Sequence, residues 1–196
     1  MDEKLIKTKY YFEDTSFNLL MQKRILHILL ICSVYDSFIL EEDGRIDEQI
    51  FNEYTSLNLR YPPSFIRASS EEEAFRKMEE EKIDLVITML SVEDPFNLSC
   101  KIKSRYPSIP IVVLTPFLRE LSKKLLRVSE LKTIDYVFCW LGNADILLAI
   151  SKLIEDRMNV EKDVEEGVQV ILLVEDSVRF YSSYLPHIYK IIFQQS

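Results

Sequence analysis

Five short apolar runs, at residues 25–34, 64–68, 85–90, 109–115 and 136–140, alternate with longer amphipathic segments along most of the chain. The runs are rich in Val, Ile, Leu and aromatic residues and lack the polar alternation of a strand with one wet face. Strands of that kind belong inside a parallel sheet covered on both faces. The intervening segments have helical spacing. Residues 45–59 put Ile46, Ile50, Tyr54 and Leu57 on one stripe. Residues 71–82 follow Ser70, with Glu73 at the spacing of a capping box and acidic side chains at the positive end of the helix dipole. Residues 97–106 stop before Pro107, residues 120–131 are cationic on the outside, and residues 144–157 align Ile146, Ile150 and Leu153. A β-α unit repeated in this way predicts an α/β fold, a doubly wound five-stranded parallel sheet with helices on both faces. In such folds the chemistry sits beyond the C-terminal ends of the strands.

Two parts lie outside this unit. Residues 1–24 contain Tyr10, Tyr11, Phe12, Phe17, Leu19 and Leu20, a pattern that predicts an extra helix laid against the domain of residues 25–159. Residues 160–167 are highly charged and suit a linker or an exposed helix extension. After them the chain repeats itself: Ile28-Leu29-Leu30-Ile31-Cys32-Ser33 aligns with Ile171-Leu172-Leu173-Val174-Glu175-Asp176. A repeat marks a duplicated unit, so residues 168–196 read as the first strand and helix of a second, truncated copy, a C-terminal β-α extension.

Composition removes several function classes. The chain has only 3 glycines, Gly44, Gly142 and Gly167, each isolated, so a phosphate-cradling loop of clustered glycines is excluded. The 24 Lys and Arg against 32 Asp and Glu give a net charge of −8, and no nucleic acid is expected as a partner, because phosphate binding needs clustered cations. The basic spots Lys101/Lys103/Arg105 and Lys123/Lys124/Arg127 have helical spacing and read as solvated faces. The most apolar stretch, residues 25–35, lies between Arg24 and Asp36 and is far shorter than the ~20 residues of a bilayer span. No membrane association is expected. Cys32, Cys100 and Cys139 are odd in number and set in apolar company, which suits a reduced, cytoplasmic protein.

The pattern resembles the receiver domain of bacterial response regulators, the CheY-like superfamily of two-component signal transduction. The resemblance implies a flavodoxin-like strand order, 2-1-3-4-5. It also implies a set of phosphotransfer residues: an acidic pair after the first strand, an acceptor aspartate after the third, a hydroxyl after the fourth and a Lys-Pro step after the fifth. The acidic pair holds Mg²⁺ through hard oxygen ligands, and the acceptor carboxylate forms an acyl phosphate. In this sequence the acidic pair falls on Cys32 and Ser33, and the acceptor falls on Met89 in Asp84-Leu85-Val86-Ile87-Thr88-Met89. The hydroxyl survives as Thr115, in Ile111-Val112-Val113-Leu114-Thr115. In Asp135-Tyr136-Val137-Phe138-Cys139-Trp140, Cys139 replaces the lysine and Trp140 the proline. A thioether neither accepts a phosphoryl group nor replaces a carboxylate on Mg²⁺. The expectation is a pseudo-receiver: a non-catalytic regulatory module with no cofactor, no metal and no catalytic residue, acting through protein or interdomain contacts.

Several residues have competing readings. Asp36, Glu93 and Asp94 are loop acids that a shifted register could bring inward, or ordinary turn residues. Thr115 is a retained site hydroxyl or a local backbone cap. Cys32, Met89 and Cys139 would converge on one crevice, either as a thiol or soft-metal site or as medium-sized hydrophobes filling a dead pocket. In that crevice no basic residue is expected. A small-molecule sensor at the strand ends is a further alternative. His27 and His187 read as packed residues, and Trp140 as core filler or a partner contact. The second repeat keeps an acidic pair, Glu175-Asp176; its unburied apolar surface must pack on the first domain, exchange between chains or aggregate, and association into a homodimer is expected. The stretches EEDGRIDEQIFNEYTSLNLRYPP, WLGNADILLAISKLIEDRMNVE and VILLVEDSVRFYSSYLP resemble the N-terminal part of large bacterial proteins of the pyruvate phosphate dikinase, PEP/pyruvate-binding type. That resemblance implies that kinase or synthase activity belongs to residues outside this chain.

Overall fold

In the computed structural model, which describes residues 20–41, 44–89, 95–116, 133–142 and 144–194, five parallel strands form one sheet. They are β1 (His27–Ile31), β2 (Ser64–Ala68), β3 (Leu85–Met89), β4 (Ile111–Thr115) and β5 (Tyr136–Cys139). Their order is β2-β1-β3-β4-β5, as expected. The register sets Ile31 beside Ala68 and Thr88, Met89 beside Leu114, and Thr115 beside Cys139. The C-terminal ends of all five strands therefore lie along one edge.

The described helices are α1 (Val34–Leu40), α2 (Ile46–Ser56), α3 (Glu71–Glu80), α4 (Pro95–Arg105), α5 (Asp145–Glu165) and α6 (Val178–Gln194). Strand alternation divides the core between two faces. Ile28, Leu30, Leu85, Ile87, Val112, Leu114 and Phe138 pack against α2 and α5 through Ile46, Ile50, Tyr54, Leu147 and Ile150. On the other face, Leu29, Ile31, Val86 and Ile111 pack against Ala74 and Met78 of α3 and Leu98 and Ile102 of α4. Among the described residues no helix is long and apolar enough to cross a membrane. The expected helix 120–131, with Lys123, Lys124 and Arg127, lies outside the described residues.

Four local outcomes differ from the sequence expectation. The apolar run 25–34 is strand only to Ile31, because Ser33 starts α1: its Oγ accepts the Asp36 N–H, and the Asp36 carboxylate accepts the Ser33 N–H. This capping box satisfies two helix-end donors and outweighs the pull of Val34 toward strand. At 160–167 the helix extension forms and not the linker: α5 runs to Glu165 and closes at Gly167, whose φ is +88°. There the Val168 and Gly167 N–H groups bond back to the Asp163 and Val164 carbonyls, a Schellman closure.

The strand expected at 168–174 does not form: residues 168–177 are neither helix nor strand. A lone strand has no ladder partner, and its backbone polar groups turn to water instead. Helix α6, by contrast, packs on this same domain, with Leu185 and Tyr189 in the larger core cluster. Finally, residues 20–24 of the expected N-terminal helix are not helical; residues 1–19 lie outside the described residues. The Met21, Lys23 and Ile25 N–H groups donate to the side chains of Asp163, Asn159 and Glu155 on α5, at 3.1, 2.9 and 3.0 Å. Four helical residues rise about 6 Å and two extended residues about 6.6 Å, so side chains four apart on α5 meet every second amide of the segment.

Candidate functional site

The site follows from where the strands end. Cys32 leaves β1 and donates its N–H to the Ala68 carbonyl at 3.1 Å, which fixes it beside β2. Met89 is the last residue of β3 and is 0% exposed. Both belong to the larger apolar cluster, together with Trp140. Parity explains the grouping, since Cys32 follows Ile28 and Leu30, Met89 follows Leu85 and Ile87, and Trp140 follows Tyr136 and Phe138.

Thr115 and Cys139 have the opposite parity. Thr115 is fully buried, and its carbonyl accepts the Trp140 N–H at 2.9 Å. Cys139 is also buried, but its N–H turns to Ser182 Oγ on α6 at 2.8 Å, and its thiol lies 3.8 Å from the Trp140 carbonyl. The three sulfur residues therefore do not share one environment. Cys32 and Met89 are in the main core, while Cys139 takes its contacts from α6. Ser182 also donates to the Val178 carbonyl at 2.6 Å, and the Tyr181 hydroxyl donates to the Val137 carbonyl. Ser182 and Tyr181 are the site neighbours that sequence reasoning missed. Their signal was the unburied apolar surface of the second repeat, which offered packing on the first domain as one outcome but did not say that β5 would receive its helix.

Electrostatics at the β1 end also differ from expectation. Arg67 on β2 pairs with Leu30 in register and supplies the cation that was not expected there. Its guanidinium is held by Glu41 through a two-pronged contact, one arm at 2.8 Å, with Ser37 Oγ at 3.3 Å. That pairing pulls the Glu41 carboxyl below its usual range and raises Arg67. The Cys32 thiol is pushed up to about 11 by burial, reinforced by the negative charge of Asp36, against a smaller lowering by Arg67. Burial likewise raises the Cys139 thiol. A thiolate at either position is disfavoured near neutral pH.

The remaining candidates are placed as follows. Ser33 is committed to capping α1. Asp36 is buried, and its carboxylate accepts from Ser33 Oγ at 2.7 Å as well as from the Ser33 N–H. Glu93 and Asp94 lie outside the described residues. Trp140 is only 8% exposed, so its indole fills the core and is not the surface anchor that the partner-contact reading required. His27 lies 3.6 Å from Asp84 at the start of β1, away from the strand C-terminal ends. His187 is exposed and not packed; its ring bonds the Ser183 carbonyl one turn back. Glu175 accepts the Ser177 N–H at 2.9 Å, beside an exposed Asp176. Among the described residues no group of three or more His, Cys, Asp or Glu side chains is placed to hold a metal.

The strand order and helix placement match solved structures. A response regulator from Thermotoga maritima, 21% identical, superposes with a TM-score of 0.50 over 67% of this chain and 98% of that chain. NtrX from Brucella abortus, solved in complex with ADP, is 13% identical with a TM-score of 0.52 over 85% of this chain and 33% of that chain. The chain has the receiver fold. At these identities the likeness is one of architecture, and the receiver fold is common ground for phosphorylated and other members alike. No protein-family model matches the sequence, and no curated protein matches it.

Proposed function

We propose that this receiver-fold unit is a regulatory, signal-transduction module that is not phosphorylated at the end of β3 and acts through protein or interdomain contacts. The observation that carries the reading is Met89: a fully buried thioether ends β3, where the receiver resemblance puts the acceptor carboxylate. Cys32 and Ser33 in place of an acidic pair, and Cys139 in place of a lysine, support it. So does the commitment of Asp36 to the α1 cap, which leaves its carboxylate engaged locally.

A contact role is supported by Val34, Tyr35 and Phe38, large apolar side chains that are all strongly exposed on α1. Tyr and Phe side chains presented this way are favoured at protein interfaces. The module is a cytoplasmic one in this reading. Residues 168–196 repeat in sequence the start of a receiver-like unit, and the resemblance to PEP/pyruvate-binding proteins puts any phosphotransferase chemistry elsewhere in a larger protein. A homodimer through the C-terminal segment completes the proposal.

The test is incubation of the chain with Mg²⁺ and acetyl phosphate, followed by intact mass. The mass is expected to stay unchanged. A gain of one phosphoryl group mapped to the β3–α4 region would overturn the reading.

A further inference from the structure

The segment joining α5 to α6 combines two properties that oppose each other. Residues 168–174, Val-Gln-Val-Ile-Leu-Leu-Val, contain no charge, glycine or proline, yet they form neither helix nor strand. Leu172 is 82% exposed, and Val170, Ile171 and Val174 are also mostly exposed. The matching residues of β1, Ile28–Ile31, are wholly buried between two strands. An aliphatic run with open backbone groups and no charge within it is a template for strand pairing, bounded here by Glu166 on one side and Glu175 and Asp176 on the other.

Both ends of the segment are fixed. Helix α5 closes at Gly167. Helix α6 is docked by the bond from the Cys139 N–H to Ser182 and by an edge-on Phe138–Tyr181 contact with centroids 5.3 Å apart. The Tyr189 hydroxyl donates to Asp156 at 2.5 Å, and the Lys190 ammonium lies 2.7 Å from Asp145 and 3.1 Å from Glu53. The exposed run is thus a hinge between two bodies whose mutual interface is already built.

We infer that the occupant of the hinge is a second copy of this chain, arranged by exchange of α6. Each α6 docks on the β5–α5 face of the other copy, and the two hinges pair antiparallel about the two-fold axis. The exchanged interface needs no new complementarity, because one chain already makes it. With Ile171 at the centre, Val170 faces Leu172 and Val168 faces Val174, pairs that suit a two-stranded ribbon. Each copy carries a net charge of −8, and the charge-free run is where two copies approach without repulsion. The first like-charged pair, Glu166 opposite Asp176, falls at the ribbon's ends, so added salt strengthens the dimer by screening it.

This inference deepens the homodimer part of the proposed function and is independent of the phosphoacceptor reading, since it is read by mass and connectivity. Light scattering on the full chain is expected to give twice 23.1 kDa. Leu172→Lys, at a site exposed in the single chain, is expected to weaken the dimer at least about tenfold. For connectivity, isotopically light and heavy chains are refolded together and treated with a zero-length carbodiimide. Cross-linked peptides that join Lys190 of one isotope to Asp145 or Glu53 of the other are expected. A one-chain mass at every concentration and salt level overturns the inference. So does a dimer whose Lys190 cross-links stay within one isotope.

Discussion

The Ile25 N–H donates to the Glu155 carboxylate at 3.0 Å, joining the entry to β1 to the middle of α5 across 130 residues of sequence. The other oxygen of Glu155 accepts from the Lys152 ammonium at 2.8 Å, with both side chains almost wholly buried. Lys152 in turn stands 4.8 Å over the Tyr54 ring. Breaking a buried pair by removing one partner leaves an uncompensated charge, which costs more than the pair itself contributes. Glu155→Ala is therefore expected to lower stability by about 3–5 kcal/mol. Adding Lys152→Met to that variant is expected to recover part of the loss. Urea unfolding of the two variants is the check, and a single-variant loss within the scatter of ordinary surface substitutions would refute the account.

Ser182→Ala leaves the buried Cys139 N–H without its acceptor. An orphaned buried donor costs about 1–3 kcal/mol, so the thermal midpoint is expected to fall and the Cys139 amide to exchange faster, with Ser182→Thr restoring both. Unchanged exchange at Cys139 would mean that its N–H does not depend on α6.

Cys32 gives a pH prediction with a definite sign. Burial first, and then Asp36, raise its thiol from 9.0 to about 11, so the unfolded chain releases this proton before the folded one. The stabilisation is fully present below pH 9 and is lost as pH rises toward 11, amounting to about 2–3 kcal/mol. Cys32→Ala removes this part of the alkaline slope. Parallel melting curves for the two proteins across that window are expected to converge with rising pH; a constant offset would contradict the assignment.

At Ser33, alanine and aspartate are expected to part company. Ser33→Ala loses the cap of α1 and about 1 kcal/mol. Ser33→Asp keeps an oxygen acceptor at the N-cap, but it removes the hydroxyl that donates to the buried Asp36 carboxylate and sets a second carboxylate against it, so it is expected to lose more than the alanine variant. Amide exchange across 34–40, together with a thermal melt, separates the two outcomes.

Strand order was legible because each strand is a nearly uninterrupted apolar run and each helix carries a stripe, so local period and global layout agree. Several of the places where reading failed involve a polar side chain serving backbone, near or far in sequence. Ser33 and Asp36 look like loop residues until their reciprocal bonds turn an apolar run into strand, turn and helix. Ser182 looks like an ordinary helical serine, and only the folding back of α6 brings it to Cys139. Asp163 falls in the charged stretch read as a linker or exposed extension, yet it is buried, with Asn159 and Glu155, because the chain at 20–25 lies across them. At the site, Met89 and Cys32 were legible through the receiver resemblance and their apolar context. Trp140 was not, because only the parity it shares with Tyr136 and Phe138 decides whether its indole faces the core or solvent.

The three bonds from residues 21, 23 and 25 to α5 run side by side and in opposite sequence directions. A pull along the axis of that segment loads all three in shear, so they resist as a group and pass tension directly into the longest of the described helices. A pull at right angles peels them one at a time. Direction, and not magnitude alone, then governs how a tug ahead of β1 is felt at α5 and at the β5 face where α6 rests.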